Sequence, residues 1–206
     1  MVPAFETVAR EVVELARSCA GRGSVPATSG NFSAVVSRDP LRLAITPSGA
    51  DKGALAATAI LEIDDTGVVR RGQGQPSAEA ALHLGIVRAR GAGAVAHTHS
   101  LWATLLSEAR AGQAAVSITG LEMLKALDGV TSHEHCETLP IVANTQDWGS
   151  GWRAAQDALA RHPEAHGLLI RGHGLYTWGR DVTETRRHLE ALEYLLEAHG
   201  RLTWRS

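Results

Sequence analysis

The sequence predicts an α/β domain in which a mixed sheet is flanked by helices, and three observations carry that prediction. The chain has 206 residues, 44% of them hydrophobic and 20% charged, enough apolar material for one sizeable core spanning residues 1–206. Short apolar runs such as GAVA, LPIVAN and GLLIRG read as buried strands. These alternate irregularly with helical patterns and with hairpin signals, which departs from a strict strand–helix–strand rhythm.

The elements follow in order. Phe5, Val8, Val12, Leu15 and Cys19 recur at helical spacing, and Gly21 and Gly23 stop that helix. ATSGNFSAVV is a small polar turn running into a strand, and LRLAITPSGA is a second strand that stops at Pro47. AILEID and GVVRRG form a hairpin around residues 64–67. A helix over residues 77–90 precedes a strand at 94–97, and another helix starts at Ser100. ITGLEMLKAL reads as the start of an amphipathic helix, and LPIVAN and GLLIRG add two buried strands. In the last helix Asp181 caps the first turn, Glu184 lies three residues on, and Val182, Leu189, Leu192 and Leu196 form one apolar stripe up to Gly200.

Several function classes are disfavoured at once. The net charge is −2 with no basic stripe, so nucleic acid is not expected as a partner. No apolar stretch is long enough for a membrane span, and acidic residues arrive too early in MVPAFETVAR for a secretory signal. Two cysteines, Cys19 and Cys136, make neither a disulfide framework nor a CxxC pair, so a cytoplasmic protein is expected.

Chemistry is concentrated in the histidines, of which there are ten. GAVAHTHS ends a buried strand in His97-Thr98-His99, and residues two apart in a strand share a face. The second such pair, HEH at 133–135, lies in a polar stretch and reads as a solvated turn. A catalytic zinc keeps three protein ligands and one open position. His173, between Gly172 and Gly174 after another buried strand, is a candidate third ligand. Spacing by itself leaves a metal site and three ordinary core histidines equally open.

Two carboxylates stand out by position. Glu79 in GQPSAEAALH opens a helix, where a carboxylate also simply suits the helix dipole. Glu122 in SITGLEMLKAL precedes an apolar pattern, where a solvated helix start is the plain alternative. The loops TSGN at 28–31 and TPSG at 46–49 could offer amides and hydroxyls to a phosphate, and each could equally be an ordinary turn. Trp102, Leu121 and Trp148 are candidates for an apolar substrate end, although large apolar residues more often fill cores.

Taken together, SGNFS, ITPSG, PSAEAALH, GAVAHTHS, ITGLEM and RGHGLYTWGRD stand in the order found in class II (zinc-dependent) sugar-phosphate aldolases of the fuculose-phosphate type, which the whole chain resembles. ITGLEMLKAL, IVANTQD and LIRGHGLYTWGRDVTETRRHLEALEYL resemble the dehydratase branch of that superfamily, which serves methionine salvage. The resemblance implies a mostly antiparallel sheet and one Zn²⁺ per subunit held by His97, His99 and His173. It also implies a homotetramer with sites near subunit interfaces, and a small sugar-phosphate substrate. Asn31, Ser48, Gly49 and Ser77 match positions that hold the substrate phosphate. Ala78 departs from a pattern that has a second serine there, so the phosphate contacts should differ in detail.

Glu79 matches the acid/base of the aldolases and Glu122 that of the dehydratases. The dehydratase branch favours Glu122, whose pKa is then expected to be raised toward neutrality by burial. The alternatives are an aldolase or epimerase acting on fuculose 1-phosphate or ribulose 5-phosphate through Glu79, or a non-catalytic module on the same scaffold. A structural zinc site would need a fourth ligand, for which only His135 and Cys136 offer themselves.

Overall fold

In the computed structural model, which describes residues 4–204, nine strands form one sheet in the order β4-β3-β2-β1-β5-β9-β8-β7-β6. The strands are β1 (Asn31–Arg38), β2 (Leu41–Ile45), β3 (Leu61–Asp64), β4 (Val69–Arg71), β5 (Ala94–Thr98), β6 (Ala115–Ile118), β7 (Glu137–Val142), β8 (Gly167–Ile170) and β9 (Gly174–Gly179). Only β7 and β8 pair in parallel; every other neighbouring pair is antiparallel. The mixed, mostly antiparallel sheet flanked by helices is therefore present.

Five helices cover the two faces: α1 (Phe5–Gly21), α2 (Ala80–Arg90), α3 (Leu101–Ala109), α4 (Trp148–Arg161) and α5 (Val182–Thr203). The strand period of two sorts each strand between two cores. Ala94 and Ala96 of β5, Phe32 and Ala34 of β1 and Leu175 of β9 join the core under α1, α3 and α5. Val95, Tyr176 and Trp178 join the core under α2 and α4. His97, in phase with Val95, consequently projects toward the α2/α4 side.

Some elements differ from those the sequence suggests. The stretch after Glu122 is a 3₁₀ turn, Glu122–Ala126, in which Leu124 alone is buried. Gly129 at φ +73° turns the chain soon afterwards, so no amphipathic helix can propagate. α5 continues through Gly200 to Thr203, because Gly200 marks a close approach of Trp102, whose ring a Cβ there would meet at 2.4 Å. Helix α4 and strands β6 and β9 are additional to the sequence-derived elements. No helix among the described residues is long and apolar enough to cross a membrane.

Candidate metal centre

Strand β5 delivers His97 and His99 to its C-terminal end, and the β8–β9 turn delivers His173 beside them. The turn is tight because Gly172 sits at φ +59° and Gly174 meets β5 closely. A Cβ at Gly174 would lie 1.9 Å from the Thr98 carbonyl oxygen. Gly174→Ala is therefore expected to part β5 from β9 at the site, costing several kcal/mol of stability. Thermal melts and metal content of the purified variant would check this, and a wild-type melt with full metal loading would contradict it.

The three Nε2 atoms converge. His97 lies 2.9 Å from His99 and 3.3 Å from His173, and His99 lies 2.9 Å from His173. His97 Nδ1 donates to the Leu175 carbonyl at 3.0 Å, and His173 Nδ1 donates to Asn144 Oδ1 at 3.3 Å. A neutral imidazole has one N–H, so in both rings Nε2 carries the lone pair. Burial, and then the other imidazoles, hold His97 well below the ordinary histidine range; His99 is pushed down to about 4 by burial, His173 and Lys52. Burial also lowers His173, against the opposing charge of Glu79. Two bare Nε2 atoms on neutral rings, with His99 Nε2 2.9 Å from each, make a donor set at which these three residues could hold a metal ion. The outer hydrogen bonds that His97 and His173 donate to Leu175 and Asn144 orient these rings as metal-bound histidines require.

Glu79 is the carboxylate that meets this cluster. Its Oε1 lies 3.3 Å from His173 Nε2, and its Oε2 lies 3.6 Å from His97 Nε2. Asn31 Nδ2 donates to Oε2 at 2.6 Å, and the Ser77 hydroxyl donates to the same oxygen at 3.5 Å. Glu79 stands at the N-terminal end of α2 without capping it, so its side chain is free to turn into the site. Tyr176 stacks on His97 with ring centroids 4.0 Å apart and walls the cluster from below. Trp148, at the start of α4, stands 6.2 Å from the His173 ring.

The other sequence-derived residues fall in different places. Asn31 is buried, and its amide is engaged by Glu79, Ser77 and His83. Ser48 and Gly49 are exposed on a loop that is stitched to the next by the Ser48 amide donating to the Gln75 carbonyl, near Ser77. Lys52, which sequence reasoning passes over, is only 2% exposed; its Nζ donates to the carbonyls of Thr28 and Ala50 and ties the two polar loops together. Read in sequence, a lysine beyond a glycine turn gives no sign of such burial.

Glu122 does not join the cluster within one protomer. The strand that precedes it, β6, ends at Ile118 opposite Glu137, five residues below Val142, whose partner Ile170 is level with Gly174. That places the end of β6 roughly 16 Å down the strand direction from the histidines and four strands across, at about 4.8 Å per strand. The Glu122 side chain is 72% exposed and accepts from Lys125 Nζ at 2.8 Å. That hydrogen bond and charge hold its carboxyl below the usual range. The raised pKa expected from the sequence is thus reversed in the protomer, because nothing buries the group.

The residues and their arrangement match a known family. A family model described as class II aldolase and adducin N-terminal domain matches residues 10–199. The chain belongs to that family. It is 46% identical over 188 residues to a methylthioribulose-1-phosphate dehydratase of Sorangium cellulosum, covering 89% of this chain and 86% of the relative. A protein of the same name from Parvibaculum lavamentivorans is 43% identical, with 91% of each chain covered. Among solved structures, an L-fuculose 1-phosphate aldolase superposes with a TM-score of 0.79 at 21% identity, over 96% of this chain and 86% of that one. Another, from Thermus thermophilus, gives 0.76 at 22% identity and covers 98% of both. The class II aldolase fold is therefore shared well beyond the range of close sequence identity.

Proposed function

We propose that this chain is a metal-dependent methylthioribulose-1-phosphate dehydratase, with Zn²⁺ as the metal and a phosphorylated methylthio-ketose as substrate. The observation that carries the reading is the set of three converging imidazoles beside a carboxylate, on a chain more than two-fifths identical to dehydratases of that name. His97, His99 and His173 would hold the metal, which when bound would supply Lewis acidity to a carbonyl next to the C–H bond that breaks.

The protein's own groups then manage protons and position. The reaction removes the C3 proton, expels the C4 hydroxyl as water and lets the resulting enol become a 2,3-diketone. Neutral imidazoles leave the metal its full charge, and burial keeps them neutral. Glu79 Oε1 stands against the histidines, where it can hold a hydroxyl of the substrate or take its proton. Ser48, Gly49 and Ser77, on loops joined by the Ser48 amide donating to the Gln75 carbonyl, receive the phosphate, with Lys52 tying the Ser48 loop to Thr28. Asn31 serves Glu79 in the protomer, so its part is to orient the carboxylate.

Glu122 remains the acid/base for the leaving hydroxyl, and a second copy of the chain must bring it. Leu101, two residues beyond His99, is 67% exposed, and Met123, beside Glu122, is 37% exposed. Both ends of the proposed site thus carry apolar side chains that a subunit contact would cover, as in a homotetramer with shared sites.

Proton NMR of metal-analysed protein mixed with 5-methylthioribulose 1-phosphate tests the activity. The 2,3-diketone should accumulate, and its appearance should depend on His97. Fully metallated protein that leaves this substrate unchanged but cleaves fuculose 1-phosphate would replace the dehydratase by an aldolase.

A further inference from the structure

His83 lies one link behind Glu79 and belongs to none of the roles above. It is fully buried in α2, on the side that faces β1. Asn31 and Ser33, two apart on β1, project to the same face and bracket its ring. His83 Nδ1 is 2.7 Å from the Ser33 hydroxyl, and Nε2 is hydrogen-bonded to Asn31 Oδ1. The ring also stands edge-on to Tyr176, 5.7 Å away, which itself stacks on His97.

The protons of this chain can be placed one after another. A carboxylate only accepts, so at 2.6 Å it is Asn31 Nδ2 that donates to Glu79 Oε2. The amide oxygen of Asn31 then faces His83 and must receive a proton from Nε2. Burial pushes the His83 pKa down to about 3, so the ring is neutral and has a single N–H. Nδ1 is therefore bare, and the Ser33 hydroxyl donates to it. Each link admits one orientation, because the opposite one would set two acceptors or two donors against each other in a buried place.

We infer that His83 is a positioning residue for the metal centre: its Nε2–H holds the Asn31 amide in the orientation that donates to Glu79 Oε2, leaving Oε1 as the oxygen turned toward His173. The inference deepens the proposed function and rests on Glu79 serving that centre. A ring of the other tautomer would present a lone pair to the Asn31 oxygen and favour a flipped amide. The flipped amide oxygen would repel the carboxylate and displace it from the histidines. The chain thus converts a single buried proton into the placement of a carboxylate two hydrogen bonds away.

Three measurements test this. In protein carrying ¹⁵N-histidine, His83 should show the Nε2–H tautomer, unchanged between neutral and mildly acidic pH. His83→Phe should weaken Co²⁺ binding and lower kcat, each on the order of ten- to a hundredfold, with KM little altered. His83→Gln, whose amide can still donate to Asn31, should recover most of both. Ser33→Ala frees Nδ1 and should give mixed tautomers with a smaller loss in the same direction, which covers the case of a His83→Phe protein that does not fold. An Nδ1–H tautomer in the wild type overturns the inference. So does a folded His83→Phe variant with wild-type Co²⁺ affinity and turnover, or a Ser33→Ala variant with an unmixed tautomer and unaltered turnover. The tautomer and the Co²⁺ titration need no substrate, so they stand apart from any failure of the dehydratase assignment.

Discussion

Replacing His173 by alanine is expected to empty the metal centre and lower turnover by at least about a thousandfold, while the fold survives. The three Nε2 atoms lie within 3.3 Å of one another, so each would contribute one of the three imidazole donors that converge there among the described residues. Two remaining imidazoles are a weak chelate, and Glu79 cannot substitute fully because Asn31 already holds one of its oxygens. The imidazole of His173 is partly exposed at a turn, so its removal leaves no large cavity beneath the core. Metal content by elemental analysis, circular dichroism and turnover of the same preparation would check each part. Stoichiometric metal and near-normal turnover in the variant would remove His173 from the centre.

The pair His97→Ala should lose metal equally but should also lower stability, since that ring is fully buried and stacked on Tyr176. The contrast separates a ligand at a turn from a ligand that is also core. It also bears on acid sensitivity. His83, with its pKa near 3, must bind a proton on unfolding in mildly acidic solution. Its folded pKa is depressed, so the unfolded chain binds more protons between about pH 3 and the ordinary histidine value near 6.5. Stability falls as pH drops through that window.

How far the site was legible in the sequence depends on how local each signal is. The H-x-H pair at the end of GAVA is a local pattern, and strand alternation alone puts both rings on one side. Helices α1 and α5 were readable because their apolar residues repeat over several turns and, in α5, because Asp181 caps the helix by accepting from the Glu184 amide. Helix α4 carries Gly149 and Gly151 in its first turn, which weaken its helical pattern in the sequence. Gly151 is small there because a Cβ would meet the Thr145 side chain at 2.7 Å. Strand β9 was hidden by the glycines that end the His173 turn. The role of His83 depends on partners 50 and 52 residues away, so a helical pattern can register it only as one more inward-facing side chain. The resemblance ranks Glu122 above Glu79 for the dehydratase branch, but motif order along one chain carries no information about which copy supplies a residue.

That last point leads to the second large effect. Glu122→Gln alone is expected to lower kcat by about a hundred- to ten-thousandfold, the usual range for a general acid/base, with metal content unchanged. His173→Ala alone is expected to be inactive for want of metal. Coexpressed, the two inactive chains should regain activity. In a mixed oligomer some sites take their three histidines from the Glu122→Gln chain and their Glu122 from the His173→Ala chain, and those sites are intact. For random one-to-one mixing about a quarter of the sites have that composition, which sets the recovery expected at equal expression. The topology demands this outcome if Glu122 is catalytic, because β6 directs it to the opposite end of the sheet from His97, His99 and His173. Activity that stays absent in verified mixed oligomers would confine each site to one protomer. Combined with near-normal turnover of Glu122→Gln, it would transfer the proton chemistry to Glu79, the carboxylate already 3.3 Å from His173.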